Sequence, residues 1–105
     1  MEFDSYTLVI LRRGPRAAEF SDEELERLQE AHLAHLRALR ERGAILAGGP
    51  FDGQDDETFR GMSLYGVPPQ EARALAEADP AVRAGRLRVE VLTWLTQPGD
   101  LTLNA

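Results

Sequence analysis

The chain has 105 residues, enough for one domain with a single core; a domain of this size buries roughly 60–70% of the surface its unfolded chain exposes. It carries 18 acidic and 12 basic residues, every basic one an arginine, for a formal net charge of −6. That balance argues against a nucleic-acid partner, which needs clustered positive charge. The arginines, interleaved with Glu, read as solvated helix faces rather than as a basic patch. Cysteine is absent, which excludes disulfides, thiolate nucleophiles and cysteine metal sites. No apolar run approaches the ~18 residues of a membrane span, and the N-terminus lacks the basic segment of a signal peptide. The expectation is a soluble, cytoplasmic protein with no membrane partner.

The first stretch, "SYTLVILRRGP", is β-rich and apolar and is closed by Gly14-Pro15, which predicts a strand over residues 5–12. Ser21 stands three residues before Glu24, a capping-box pattern at the start of a long helix. Leu25, Leu28, His32, Leu36 and Leu39 recur at helical spacing until Gly43 ends the run. "AILAGGPF" predicts a short buried strand, "DGQDDETF" a polar acidic loop and "RGMSLYG" a third strand. Pro68-Pro69 opens a second helix, since proline is tolerated in a first turn. Asp79-Pro80 breaks it, "AVRAG" supplies about one more turn, and "RLRVEVLTWL" predicts a long fourth strand. The domain is expected over residues 1–97, with 98–105 as a mobile or partner-dependent tail.

The order β-α-β-β-α-β is the ferredoxin-like, split βαβ arrangement of an α+β fold with an antiparallel sheet. Its two crossovers share a hand, so both helices lie on one face. The other face should then alternate with polar residues. It does not: Tyr6, Leu8 and Ile10 on the first strand, and Leu92 and Trp94 on the fourth, are apolar. A second copy of the chain, packed sheet against sheet, is the expected cover, so the chain is expected to be a homodimer. Trp94 is then expected at the interface or in a cavity wall.

His32 and His35 are the only histidines. His32 falls at the centre of the leucine stripe, where the simplest reading is a core histidine with satisfied ring nitrogens. The spacing of three would also suit two metal ligands, but no third histidine, cysteine or matching carboxylate accompanies the pair, so no metal is expected. His35 falls at the edge of the stripe and reads as a half-exposed helix residue. Asp79 continues the buried face of the second helix, and an Asp before Pro is a natural N-cap. One oxygen can cap while the other orients an imidazole. "AGGPF" places flexible backbone at a strand end, which makes Gly49 a candidate substrate-binding position. Ser63, on the neighbouring strand, lacks the Gly-x-Ser-x-Gly frame of a nucleophile and is a candidate for substrate binding only. The acidic loop Asp52, Asp55, Asp56 and Glu57 lacks the alternating ligands of a calcium loop and reads as solvated.

Taken in order, "AHLAHLRALRERGAILAGGPF", "GMSLYGV" and "EARALAEADPAVRAGRLRVEVLTW" resemble the YciI-like (YCII-related) family. The resemblance runs from the first strand to Trp94. It implies a dimeric α+β barrel and a His–Asp pair, which fall on His32 of "AHLAHL" and Asp79 of "EADPAV". Two positions depart from the family pattern: Gln29 stands where many members carry an arginine, and Ala81 follows Asp-Pro where an aromatic is common. The resemblance implies a small, cofactor-independent enzyme performing acid/base chemistry, of elimination or isomerisation type, on a small cyclic or aromatic molecule. A dehydrochlorinase-related, lyase-like reaction is the nearest chemistry. The alternative is a non-catalytic dimeric module that binds a small ligand or regulates another protein. A cavity that brings His32 and Asp79 within hydrogen-bond reach favours the enzyme, and burial of both without a cavity favours the module.

Overall fold

The computed structural model describes residues 2–103. Four strands, β1 (Asp4–Arg13), β2 (Ile45–Pro50), β3 (Phe59–Tyr65) and β4 (Leu87–Thr96), form one antiparallel sheet in the order β2-β3-β1-β4. Helices α1 (Asp22–Glu41), α2 (Pro69–Glu77) and the single turn α3 (Pro80–Arg83) complete the ferredoxin-like α+β fold. A 3-10 turn at Ala17–Glu19, which the sequence pattern does not signal, leads into α1.

Helix ends follow local chemistry. Ser21 accepts from the Glu24 amide at 3.2 Å, and the Glu24 carboxylate accepts from the Ser21 amide at 2.9 Å. These reciprocal bonds satisfy two amides that the first turn leaves without helical partners, and they hold the Glu24 carboxyl below its ordinary range. At the other end Gly43, at φ 79°, donates to Arg40 while Ala44 donates to Leu39. Gly85, at φ 84°, and Arg86 repeat that closure on Val82 and Ala81 behind α3. Both are Schellman stops, in which glycine takes a left-handed conformation costly to residues with a Cβ.

The core lies between the helices and one sheet face. Val9, Leu39, Ile45 and Tyr65 form it with Ala72 and Ala76, whose small side chains bring α2 down onto the sheet. Leu11, Leu36, Val89 and Val91 pack around them. On the opposite face, register pairs Tyr6 with Trp94, and Leu8 with both Leu64 and Leu92. Directly paired residues share a face, so this second face carries an apolar band. The rings of Tyr6 and Trp94 lie 6.5 Å apart. Leu92 is 50% and Trp94 41% exposed.

The domain's last strand ends at Thr96, and beyond it the Gly99 amide donates to Asp4 at 2.8 Å, which ties the first part of the tail to β1. Asn104 and Ala105, the end of the expected tail, lie outside the described residues. Among the described residues, no helix is long and apolar enough to cross a membrane.

Candidate functional site

α1 brings His32 to the sheet at mid-helix, and the junction between α2 and α3 brings Asp79 to meet it. His32 is 8% exposed and Asp79 2%. The Nδ1 of His32 is hydrogen-bonded to one Asp79 oxygen. The other Asp79 oxygen accepts from the Ala81 amide at 2.9 Å and caps α3. Both jobs suggested by the Asp-Pro pattern therefore fall to one side chain. A carboxylate only accepts, so Nδ1 carries the proton that it shares with Asp79. In the neutral ring that leaves Nε2 as the basic nitrogen. Asp79 itself stands behind the imidazole and away from the opening, while His32 lines a cleft of about 700 Å³.

The cleft lies between α1 and the sheet, against β2 and β3. Leu25, Gln29, His32, Leu33, Leu36, Arg37 and Arg40 of α1 line one wall, at spacings that keep them on one side of the helix. Gly48, Gly49, Gly61 and Ser63 line the other. The sequence pattern suggests a buried second strand, but Gly48, Gly49 and Pro50 are exposed. Gly48 pairs with Ser63 on the face toward the helices, and its missing side chain leaves space for the cleft. A Cβ on Gly49 would meet nothing within 4 Å, whereas one on Gly48 would touch the Ser63 hydroxyl at 3.0 Å. Ser63 is 5% exposed, and no hydrogen bond of its hydroxyl is found among the described residues, which leaves that group available to a molecule in the cleft.

His32, Gly49 and Ser63 are thus gathered at one opening, with Asp79 behind the first. Trp94 is not: it stands on the opposite sheet face, outside the cleft lining. His35 is also apart, its Nε2 donating to the Leu75 carbonyl of α2 at 2.7 Å, a helix-to-helix tie. The two histidines use their rings on different partners, and among the described residues no three His, Asp or Glu side chains gather as metal ligands would. The four acidic residues of the loop are exposed, as a solvated loop should be, and one of them also has a structural part. Asp56 accepts from the Thr58 amide and hydroxyl at 2.9 and 2.7 Å, and pairs with Arg12.

Two residues of the site escaped sequence reasoning. Tyr65, 1% exposed on β3, has its phenol pushed up to about 12 by burial, with the negative charge of Asp79 adding to the effect. Its only signal is the strand alternation, which turns it toward the helices. Arg86, just before β4, reaches back to α1, where its Nη1 donates to the Leu25 carbonyl and to Gln29 Oε1, both at 3.3 Å. Gln29 is one turn before His32, so a guanidinium from elsewhere in the chain bonds the residue standing at that departure from the family pattern. Arg86 is held by the Gly14 amide, which donates to the Arg86 carbonyl at 2.7 Å. A Cβ on Gly14 would collide with the Gly85 carbonyl, so only glycine permits that approach. Ala81, the other departure, is fully buried.

A comparison with solved structures finds 5-chloro-2-hydroxyhydroquinone dehydrochlorinase from Burkholderia phenoliruptrix AC1100, in complex with 2,5-dihydroxybenzoquinone. It is 24% identical over 85% of this chain and 92% of that one, with a TM-score of 0.60, and shares the fold. No curated protein matches. The family model of the YCII-related domain matches residues 6–95, which takes in every helix, all but the outer ends of β1 and β4, and both members of the His–Asp pair. The chain belongs to the YCII-related domain family.

Proposed function

We propose that the chain is a cofactor-independent acid/base enzyme in which Nε2 of His32 moves a proton of a small molecule held in the cleft. One observation carries the reading: Asp79 engages Nδ1 of a nearly buried imidazole whose ring lines a cavity. The carboxylate selects the tautomer and stabilises the imidazolium that forms when Nε2 accepts a proton. A sealed core histidine would have both nitrogens occupied and no cavity beside it. The cleft beside the pair favours this reading over that of a non-catalytic module with both side chains buried and no opening.

Elimination is the reaction type proposed, by analogy with the dehydrochlorinase that shares the fold. Nε2 takes a proton, the electron pair left behind forms the new double bond, and the leaving group departs with its own pair. The imidazolium then returns the proton to solvent. Ser63 and the Gly49 backbone are proposed to orient the substrate. The proposal includes a homodimer joined across the apolar sheet face, with Trp94 at that interface.

The test is chloride release from a panel beginning with 5-chloro-2-hydroxyhydroquinone. His32→Gln is expected to lower turnover by ~10²–10⁴-fold with the fold intact. Full activity of His32→Gln would leave the His–Asp pair a structural one and remove the enzyme reading.

A further inference from the structure

The cleft has a charge character opposite to that of the chain. Its lining includes Arg13, Arg37, Arg40, Arg60 and Arg86 and not one aspartate or glutamate, although acidic residues outnumber basic ones by 18 to 12 overall. Interleaving with glutamate along the sequence suggested solvated helix faces. Folding instead brings five arginines from β1, α1, β3 and the turn before β4 around one opening.

These guanidiniums are also unneutralised. Elsewhere Arg12, Arg16, Arg73 and Arg88 each have a carboxylate oxygen within 4.0 Å. Among the described residues, none of the five cleft arginines does. Arg86 bonds only to the neutral oxygens of Leu25 and Gln29, and Arg60 only to the Glu57 carbonyl at 3.3 Å. Positive groups of one sign around a concave, partly apolar wall focus their field into the opening. Leu11, Leu25, Leu33, Leu36, Ile45 and Leu87 supply that apolar wall. A guanidinium fork matches the geometry of a carboxylate or phosphate head group and remains charged at any working pH.

We infer that the cleft takes a small organic oxyanion, a carboxylate or phosphate carried on an apolar body. The inference rests on the cleft being the substrate site, as proposed above, and adds the substrate class. Arg40, on the exposed side of α1, and Arg86, fixed by its bonds to Leu25 and Gln29, are assigned to the charged head. The apolar wall takes the body.

Calorimetric titration of the purified chain with benzoate, phenyl phosphate and benzamide tests this. Benzamide has the ring and planar head of benzoate without its charge. At low salt at least one anion is expected to bind about tenfold or more tighter than benzamide, with the preference shrinking as salt rises. The better anion identifies the head group. Arg40→Met, which breaks no internal contact, should lower the preference several-fold, and the Arg40→Met, Arg86→Met pair should abolish it. Arg73→Met, on the far side of α2, should bind as the parent does, and thermal melts check that each variant is folded. Benzamide binding as well as the anions, an unchanged preference in folded Arg40→Met, or no anion binding at millimolar concentration would overturn the inference. His32→Gln separates this inference from the acid/base reading. Lost turnover without any anion preference would sink the oxyanion alone, and retained turnover with the preference intact would sink the base alone.

Discussion

The two oxygens of Asp79 have different duties, and a single atom exchange tells them apart. Asn caps a helix about as well as Asp, so in Asp79→Asn the side-chain oxygen stays on Ala81 and the amide NH₂ turns to His32. An NH₂ donates, so Nδ1 must now accept and the neutral ring carries its proton on Nε2. Nitrogen NMR should show the neutral ring protonated at Nδ1 in the parent and at Nε2 in the variant, with turnover falling and stability nearly kept. Asp79→Ala loses cap and partner together and is expected to cost about 2–4 kcal/mol, measured by denaturant unfolding. Tyr65 behaves differently. The folded chain holds its phenolic proton more tightly than the unfolded chain, whose phenol titrates near ~10. Stability from this group is therefore complete below that pH and is lost as pH rises through about 12. Tyr65→Phe should flatten the alkaline limb of a melting-temperature profile. At this scale His32 and Asp79 were legible, because an imidazole on an apolar stripe and an Asp before Pro both break a local pattern. Arg86 was not, because its partners Leu25 and Gln29 are about sixty residues away in the chain and nothing local marks it.

Among the elements, those with chemical punctuation were legible nearly to the residue. Ser21 and Glu24, Gly43, Pro68-Pro69 and Asp79-Pro80 each mark a helix end by a mechanism that acts within a few residues. The cleft was not, because it comes from what β2 lacks. "AGGP" reads as the end of a buried strand, and only the placement of α1 above it turns the missing side chain of Gly48 into volume. Gly48→Val tests that origin. Gly48 pairs with Ser63 on the face toward the helices, and an added Cβ there comes within 3.0 Å of the Ser63 hydroxyl. Benzoate binding and turnover should both fall, with thermal melts checking that the variant is folded. Unchanged binding in the folded variant would place the ligand elsewhere.

For the whole molecule the sheet is apolar on both faces and the helices cover only one. The exposed band of Leu92 and Trp94 beside Leu8 and Tyr6 is the kind of surface that marks association. Sedimentation at micromolar concentration is expected to show a dimer. Leu92→Arg, which sets a charge in the middle of the band, should shift it toward monomer while far-UV circular dichroism stays unchanged. Trp94 fluorescence should move to longer wavelength as the copies separate. A monomeric parent would remove the sheet-to-sheet arrangement and leave the cleft untouched, because the two lie on opposite faces. Strand alternation alone exposed this feature in the sequence, whereas the convergence of five arginines needed three dimensions.

The alignment of the His32 ring is hung on a helix of one turn. Four residues do not sustain a helix unaided; α3 persists because Asp79 closes its start and Gly85 its end. When that turn frays, the Ala81 amide loses its acceptor and the carboxylate holding His32 is freed to swing in the same event. The proposed proton transfer would then be set by a local opening equilibrium, and the solvent-exchange rate of one backbone hydrogen, that of Ala81, is a clock for it. Warming or mild urea that quickens this exchange should depress turnover well before the sheet melts.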